Sequence, residues 1–137
     1  MADRMAYAVD DTRWPLVIAR ATEFNADISA LDASYAKLDA ILARGRPFAL
    51  MFDMRGAVSS PARRQRLHQW CQQREELLTR LLLVGAIVAS SSIERGFITA
   101  GLWFRTPPWP MRVFSEHAEA ELWLLQQFAA LKNASAP

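Results

Sequence analysis

Residues 47–64 read PFALMFDMRGAVSSPARR, and the fold turns on how this stretch is parsed. Its first six residues, PFALMF, are an apolar run with no polar position to mark an outer face, the pattern of a strand covered on both sides. Asp53 ends the run, Gly56 permits a turn, and Ser60-Pro61 opens a helix. A serine at the N-cap accepts a hydrogen bond from an otherwise unpaired helical N–H. Proline at the first helical position gives up an N–H that has no partner there. A doubly covered strand that hands over to a helix is half of a β-α-β unit, so the sheet around it is expected to be mostly parallel.

The same alternation extends in both directions. Upstream, residues 7–9 and 16–21 are β-rich runs around DDTRWP (10–15), a polar turn closed by proline that reads as a hairpin. Asp27 is placed to cap a first helix, whose apolar stripe is Ile28, Leu31, Tyr35, Leu38 and Leu42 and whose stop is Gly45. Downstream, one helix is expected over residues 61–80, with Leu67, Trp70, Cys71, Leu77, Leu78 and Leu81 on its inner face. LLVGAIVAS (82–90) is the next buried strand, and SSIE (91–94) is a capping-box pattern for a third helix over residues 93–104. RTPPWP (105–110) breaks that helix, MRVF (111–114) is a short strand, and Ser115 caps a last helix with Glu116 and Glu119 near its positive end. Ala118, Leu122, Leu125 and Ala129 are expected on its inner face, and the tail 132–137 is expected to fray. The order is ββαβαβαβα: one α/β domain over residues 1–137, a mixed, mostly parallel β-sheet with helices on its faces.

Composition narrows the function classes. With 137 residues, 52% of them hydrophobic and 22% charged, the chain can bury an ordinary core. Sixteen Lys and Arg against fourteen Asp and Glu give a net charge of +2, too balanced for the concentrated basic stripe of a duplex-binding protein. No nucleic-acid partner is expected. Cys71 is the only cysteine, so no intrachain disulfide can form. The N-terminal residues lack the apolar core of a secretion signal. The longest apolar run, residues 81–89, is far shorter than the roughly 20 residues of a membrane-spanning helix. The expectation is a cytoplasmic protein without a membrane span.

In element order the chain resembles the STAS/SpoIIAA-like group, the anti-anti-sigma-factor fold and its relatives of unknown function. PFALMFDMRG (47–56) resembles the central strand of that fold, ending in an acid before a loop and helix. PMRVFSEHAEAELWL (110–124) resembles its last short strand and helix. The resemblance implies regulation or binding rather than catalysis, with a phospho-acceptor serine at Ser59 or Ser60. Here the sequence departs from the anti-anti-sigma pattern: the acid and the glycine that flank that serine are replaced by AVSSPARR (57–64).

Four sets of residues are candidates for function. Ser59 and Ser60 are either a turn residue and a helix cap or phospho-acceptors, where a phosphate would meet a helix N-terminus and the guanidinium groups of Arg55, Arg63 and Arg64. The loops that leave the strands at 54–60, at 90–92 and around Ser115 gather at one sheet end, where Arg55, Arg63, Arg64 and Arg95 could hold a free anion. Arg74 falls in the middle of an apolar stripe. It either snorkels to water or is a buried charge that needs an acid such as Asp53 or Glu94, or one across a dimer interface. Phe97, Ile98, Leu102, Trp103 and Phe104 run around the third helix, with Trp109 beyond it; a helix apolar on every side faces the sheet with one side and a core corner, a partner or an apolar ligand with the other. His68 and Cys71 stand three residues apart on one helix, too few ligands for a metal. No catalytic constellation, metal site or cofactor is expected. The first reading is a non-enzymatic regulatory or protein-interaction module. The second is a small-ligand binding domain taking an anionic or apolar ligand at the strand ends and third helix.

Overall fold

Five strands pair in the order β1 (Tyr7–Arg13), β2 (Leu16–Ala21), β3 (Phe48–Asp53), β4 (Leu82–Val88) and β5 (Met111–Phe114). β1 runs antiparallel to β2, and every other pair is parallel. The computed structural model describes residues 6–22, 28–55, 61–104 and 106–134. Six of six residues in β3 are buried, which is why PFALMF carries no polar alternation.

Alternate residues of the strands feed two cores. On one face Val17, Ala19, Leu50 and Phe52 pack with α1 (Ile28–Leu42), α2 (Pro61–Gln73) and α3 (Glu75–Leu81) through Leu31, Tyr35, Leu38, Trp70 and Leu78. On the other face Leu16, Ile18, Ala49, Met51, Val84 and Ala86 meet α5 (His117–Ala134) through Ala120, Leu124 and Phe128. α4 (Ser92–Phe104) packs against β5 at the sheet edge. Inside the first core, Tyr35 and Trp70 stack with centroids 5.3 Å apart. Ser34, fully buried, accepts a hydrogen bond from Tyr7 N at 2.9 Å and donates to Ala30 O at 3.0 Å, fastening β1 to α1.

Several sequence expectations are met at the level of single residues. α1 ends at Leu42, and Gly45 adopts φ +67°, the left-handed conformation glycine tolerates. Ser91 Oγ accepts from Glu94 N at 3.4 Å, so the cap of α4 is in place. Asp27, the expected cap of α1, lies outside the described residues, as does Ser60.

Four expectations need correction. The hairpin strand runs on through Arg13, and its turn is Trp14-Pro15, with a cis peptide bond. The helix expected over 61–80 is two helices, broken at Arg74, so the order is ββαβααβαβα. A continuous helix, at about 100° per residue, would have put Arg74 and Leu77 inward with Trp70. Leu78 and Leu81 are buried as expected, but the break leaves Leu77 37% exposed and takes Arg74 out of the apolar stripe. The last helix buries Ala120, Leu124 and Phe128, not Ala118, Leu122, Leu125 and Ala129; Leu122 and Leu125 are exposed. The helix is apolar on more than one side, and the side that wins is the one that also carries His117 and Glu121. Finally, the first helical hydrogen bond of α5 runs from Ala120 N to Glu116 O, which makes Glu116 rather than Ser115 the N-cap residue.

Candidate functional site

β3 carries Ala49, Met51 and Asp53 on the α5 face, so the strand that is apolar throughout ends in a carboxylate pointing at a helix start. The Asp53 side chain is only 2% exposed. Arg55 folds back on it in a two-pronged clamp, Nε donating to Oδ1 at 2.9 Å and Nη2 to Oδ2 at 2.7 Å, and its backbone N donates to Oδ1 at 3.3 Å. On the other side His117, the first residue of α5, sets Nδ1 3.2 Å from Asp53 Oδ2. A carboxylate only accepts, so this hydrogen bond requires the proton on Nδ1. His117 Nε2 then lies 3.9 Å from Glu121 Oε2, one turn along the helix, and Glu121 pairs in turn with Arg13. Arg55, Asp53, His117, Glu121 and Arg13 thus make a chain of groups that alternate in charge when the imidazole is protonated.

Burial alone would raise the Asp53 pKa; the hydrogen bonds from Arg55 and His117 and the Arg55 charge override it and hold the carboxyl at about 2. Chemically, an imidazole oriented by a buried carboxylate is the arrangement that acts as a general base when a nucleophile meets its free nitrogen. Here Glu121 occupies that position, and the partners of His117 are Asp53 and Glu121. The network ties β3, α5 and the end of β1 together. Among the described residues no group of three His, Cys, Asp or Glu side chains is placed to hold a metal ion.

The arginines expected at the strand ends are engaged by different protein groups. Arg55 holds Asp53. Arg63 is buried, its guanidinium 5.3 Å from the Tyr7 ring centre. Arg64 is exposed on α2. Arg95 donates to the carbonyl oxygens of Ala89 and Ser90 at 2.8 and 2.7 Å, closing the end of β4. Ser59 and Ser60 lie outside the described residues. Arg74 is half-buried at the α2–α3 joint; its partner is Asp39 of α1, not Asp53 or Glu94, and its guanidinium lies 5.1 Å from the Trp70 ring centre. Trp70 Nε1 donates to the same carboxylate at 3.1 Å. Cys71 is mostly buried among these groups, and burial pushes its thiol up to about 11.

The aromatic third helix divides. Ile98 and Leu102 are half-buried toward the sheet, whereas Phe97 is 76% exposed and Ile93, one turn before it, 72% exposed. Trp109 packs half-buried beside Gly85. The side chains of Trp103 and Phe104 lie outside those described. Sequence reading missed His117 and Asp53 as a pair. Sixty-four residues separate them, and only the β-α-β winding, which returns the start of α5 over β3, brings them together.

No protein-family model matches the sequence, and no curated protein matches it. Among solved structures, an uncharacterised protein of the DUF3478 family from Shewanella loihica PV-4, described as having a SpoIIAA-like fold, aligns with a TM-score of 0.67. The alignment covers 90% of this chain and 98% of that one at 14% identity. The strand order, the buried central strand ending in an acid and the structural alignment agree that this chain has a SpoIIAA-like fold.

Proposed function

We propose that the chain is a non-enzymatic regulatory or protein-interaction module of STAS-like type that engages a protein partner through the outward face of α4. The observation that carries this is the exposure of Ile93 and Phe97 one turn apart, with Ala100 and Gly101 also exposed along the helix. Two large apolar side chains one turn apart, both turned to water on the same helix face, support an interaction surface. Control by charge fits at residues 54–64. A phosphate on Ser59 or Ser60 would stand beside the start of α2 and compete with Asp53 for Arg55. An anion held at the strand ends is less supported, because Arg55, Arg63 and Arg95 each already engage a protein group.

The test is capture of the tagged chain from its own cells, followed by rebinding of the purified partner and sedimentation of the chain alone. Wild type is expected to bind the partner, and an Ile93→Lys/Phe97→Lys double variant to lose it while keeping its circular dichroism. Equal binding by the two proteins would refute the α4 face. Loss of wild-type self-association in the double variant, with no second protein needed, would make the partner another copy of the chain.

A further inference from the structure

A cleft of about 650 Å³ wraps the outer edge of β5, between α4, the 106–110 connection and α5. Its walls are Leu102 of α4, Trp109, Met111 and Val113, and Trp123 of α5, with Arg112 among them. Neighbouring residues of a strand point to opposite faces, so Met111 and Val113 line one side of the edge and Arg112 the other. The cleft is open to solvent and mainly apolar, and its volume falls within the range of small-molecule sites.

One charged group, Arg112, stands in the walls beside the hydroxyls of Thr99 and Thr106, and it shows what would fit. Arg112 is exposed, with its guanidinium 5.3 Å from the Phe114 ring centre, and no acid among the described residues pairs with it. A guanidinium lying over a ring keeps the N–H donors of its fork available for an anion. Trp109 Nε1 is buried against the sheet and meets no acceptor among the described residues. Gly85 is what admits it: a Cβ there would stand 3.6 Å from Trp109 Nε1 and 3.4 Å from Met111 Cε. Phe114 backs Trp123 at 5.6 Å, so the α5 wall is an aromatic plate with a cation beside it.

We propose that this cleft binds a small ring-bearing organic acid, its rings between Trp109 and Trp123 and its anionic group on Arg112. The inference does not depend on the α4 face, because Ile93 and Phe97 do not line the cleft. The probe is 1-anilinonaphthalene-8-sulfonate, which joins two aromatic groups to one anion, compared with N-phenyl-1-naphthylamine, the same rings without the sulfonate. Saturable one-to-one binding of the sulfonate is expected, with quenching of tryptophan fluorescence and an unchanged near-ultraviolet circular dichroism spectrum. Arg112→Gln, a change at an exposed position, should weaken the sulfonate about tenfold and leave the neutral amine unaffected, since a charge-assisted contact is worth about that factor. Thr99→Trp, which sends an indole into the cleft from α4, should weaken both. Absence of sulfonate binding to wild type would overturn the proposal. So would binding that Arg112→Gln leaves unchanged.

Discussion

Asp53→Asn keeps the shape of the side chain and removes the charge that Arg55 and His117 hold, so it tests the strand-end network directly. The Asp53 carboxyl has an ordinary pKa of 3.8 and is held at about 2 in the fold. A lowered carboxyl pKa means that the ionised form favours the folded state. That contribution is complete above the unfolded value, near pH 4 to 5, and is lost as pH falls through about 2. At 1.36 kcal/mol per pH unit the drop corresponds to about 2.4 kcal/mol. Arg55 is 41% exposed, and solvent screening brings the usable part to roughly 1–2 kcal/mol. In urea unfolding this is about 0.5–1 M in the midpoint. Wild type should therefore exceed Asp53→Asn by a gap that is widest near neutrality and narrows by about two thirds of that amount, roughly 0.7–1.3 kcal/mol, between pH 5 and pH 2.5. The assay is paired urea titrations at half-unit pH steps over that interval. A gap that stays constant across it would show that the clamp does not hold the carboxylate ionised, and the reading of Asp53 as the charged centre of the network would fail.

Three further outcomes follow from the packing. Ser34→Ala should cost about 1–3 kcal/mol, because it leaves the buried Tyr7 N–H without its acceptor; amide exchange at Tyr7 is the residue-level readout. Leu124→Ala should cost about 2–4 kcal/mol by chemical denaturation, as Leu124 is fully buried at the centre of the α5 contact, whereas Leu122→Ala on the exposed side should stay within about 0.5 kcal/mol. Cys71, with its thiol raised to about 11, should react with iodoacetamide at pH 8 far more slowly than a free cysteine and at an ordinary rate once the chain is unfolded in urea.

The elements that could be read from sequence are those whose burial is uniform. Both faces of β3 and β4 are covered: every residue of β3 is buried, and in β4 Leu83 and Ile87 alone keep partial exposure. What could not be read was direction within amphipathic stretches. The expected helix over 61–80 places Arg74 in its apolar stripe, and the chain resolves that conflict by breaking there and handing the guanidinium to Asp39 and Trp70. A stripe count has no term for a partner 35 residues away. In α5 the spacing of Ala118, Leu122, Leu125 and Ala129 makes one apolar face, and all four are exposed. The helix instead turns inward the face that opens on His117, since Asp53 and Arg13 compensate its polar residues and the small Ala120 lets it approach the sheet. The same blindness hid the candidate site. An Asp closing one strand and a His opening the last helix are unremarkable singly, and become a pair only through the crossover geometry.

The distribution of charge and apolar surface bears on where this protein meets others. At the strand ends the arginines and acids are largely turned on one another: Arg55 on Asp53, Arg13 on Glu121, Arg95 on the carbonyls that end β4. α4 does the opposite and leaves Ile93 and Phe97 largely in water, where they add little to the stability of the fold. Covering both would gain roughly 2–4 kcal/mol by area. Against an association cost of about 4 kcal/mol or more, these two side chains would anchor an interface without completing it. The remainder has to come from other surface around α4. A ligand in the cleft, which Leu102 lines, and a partner on Phe97 would then lie on different sides of α4.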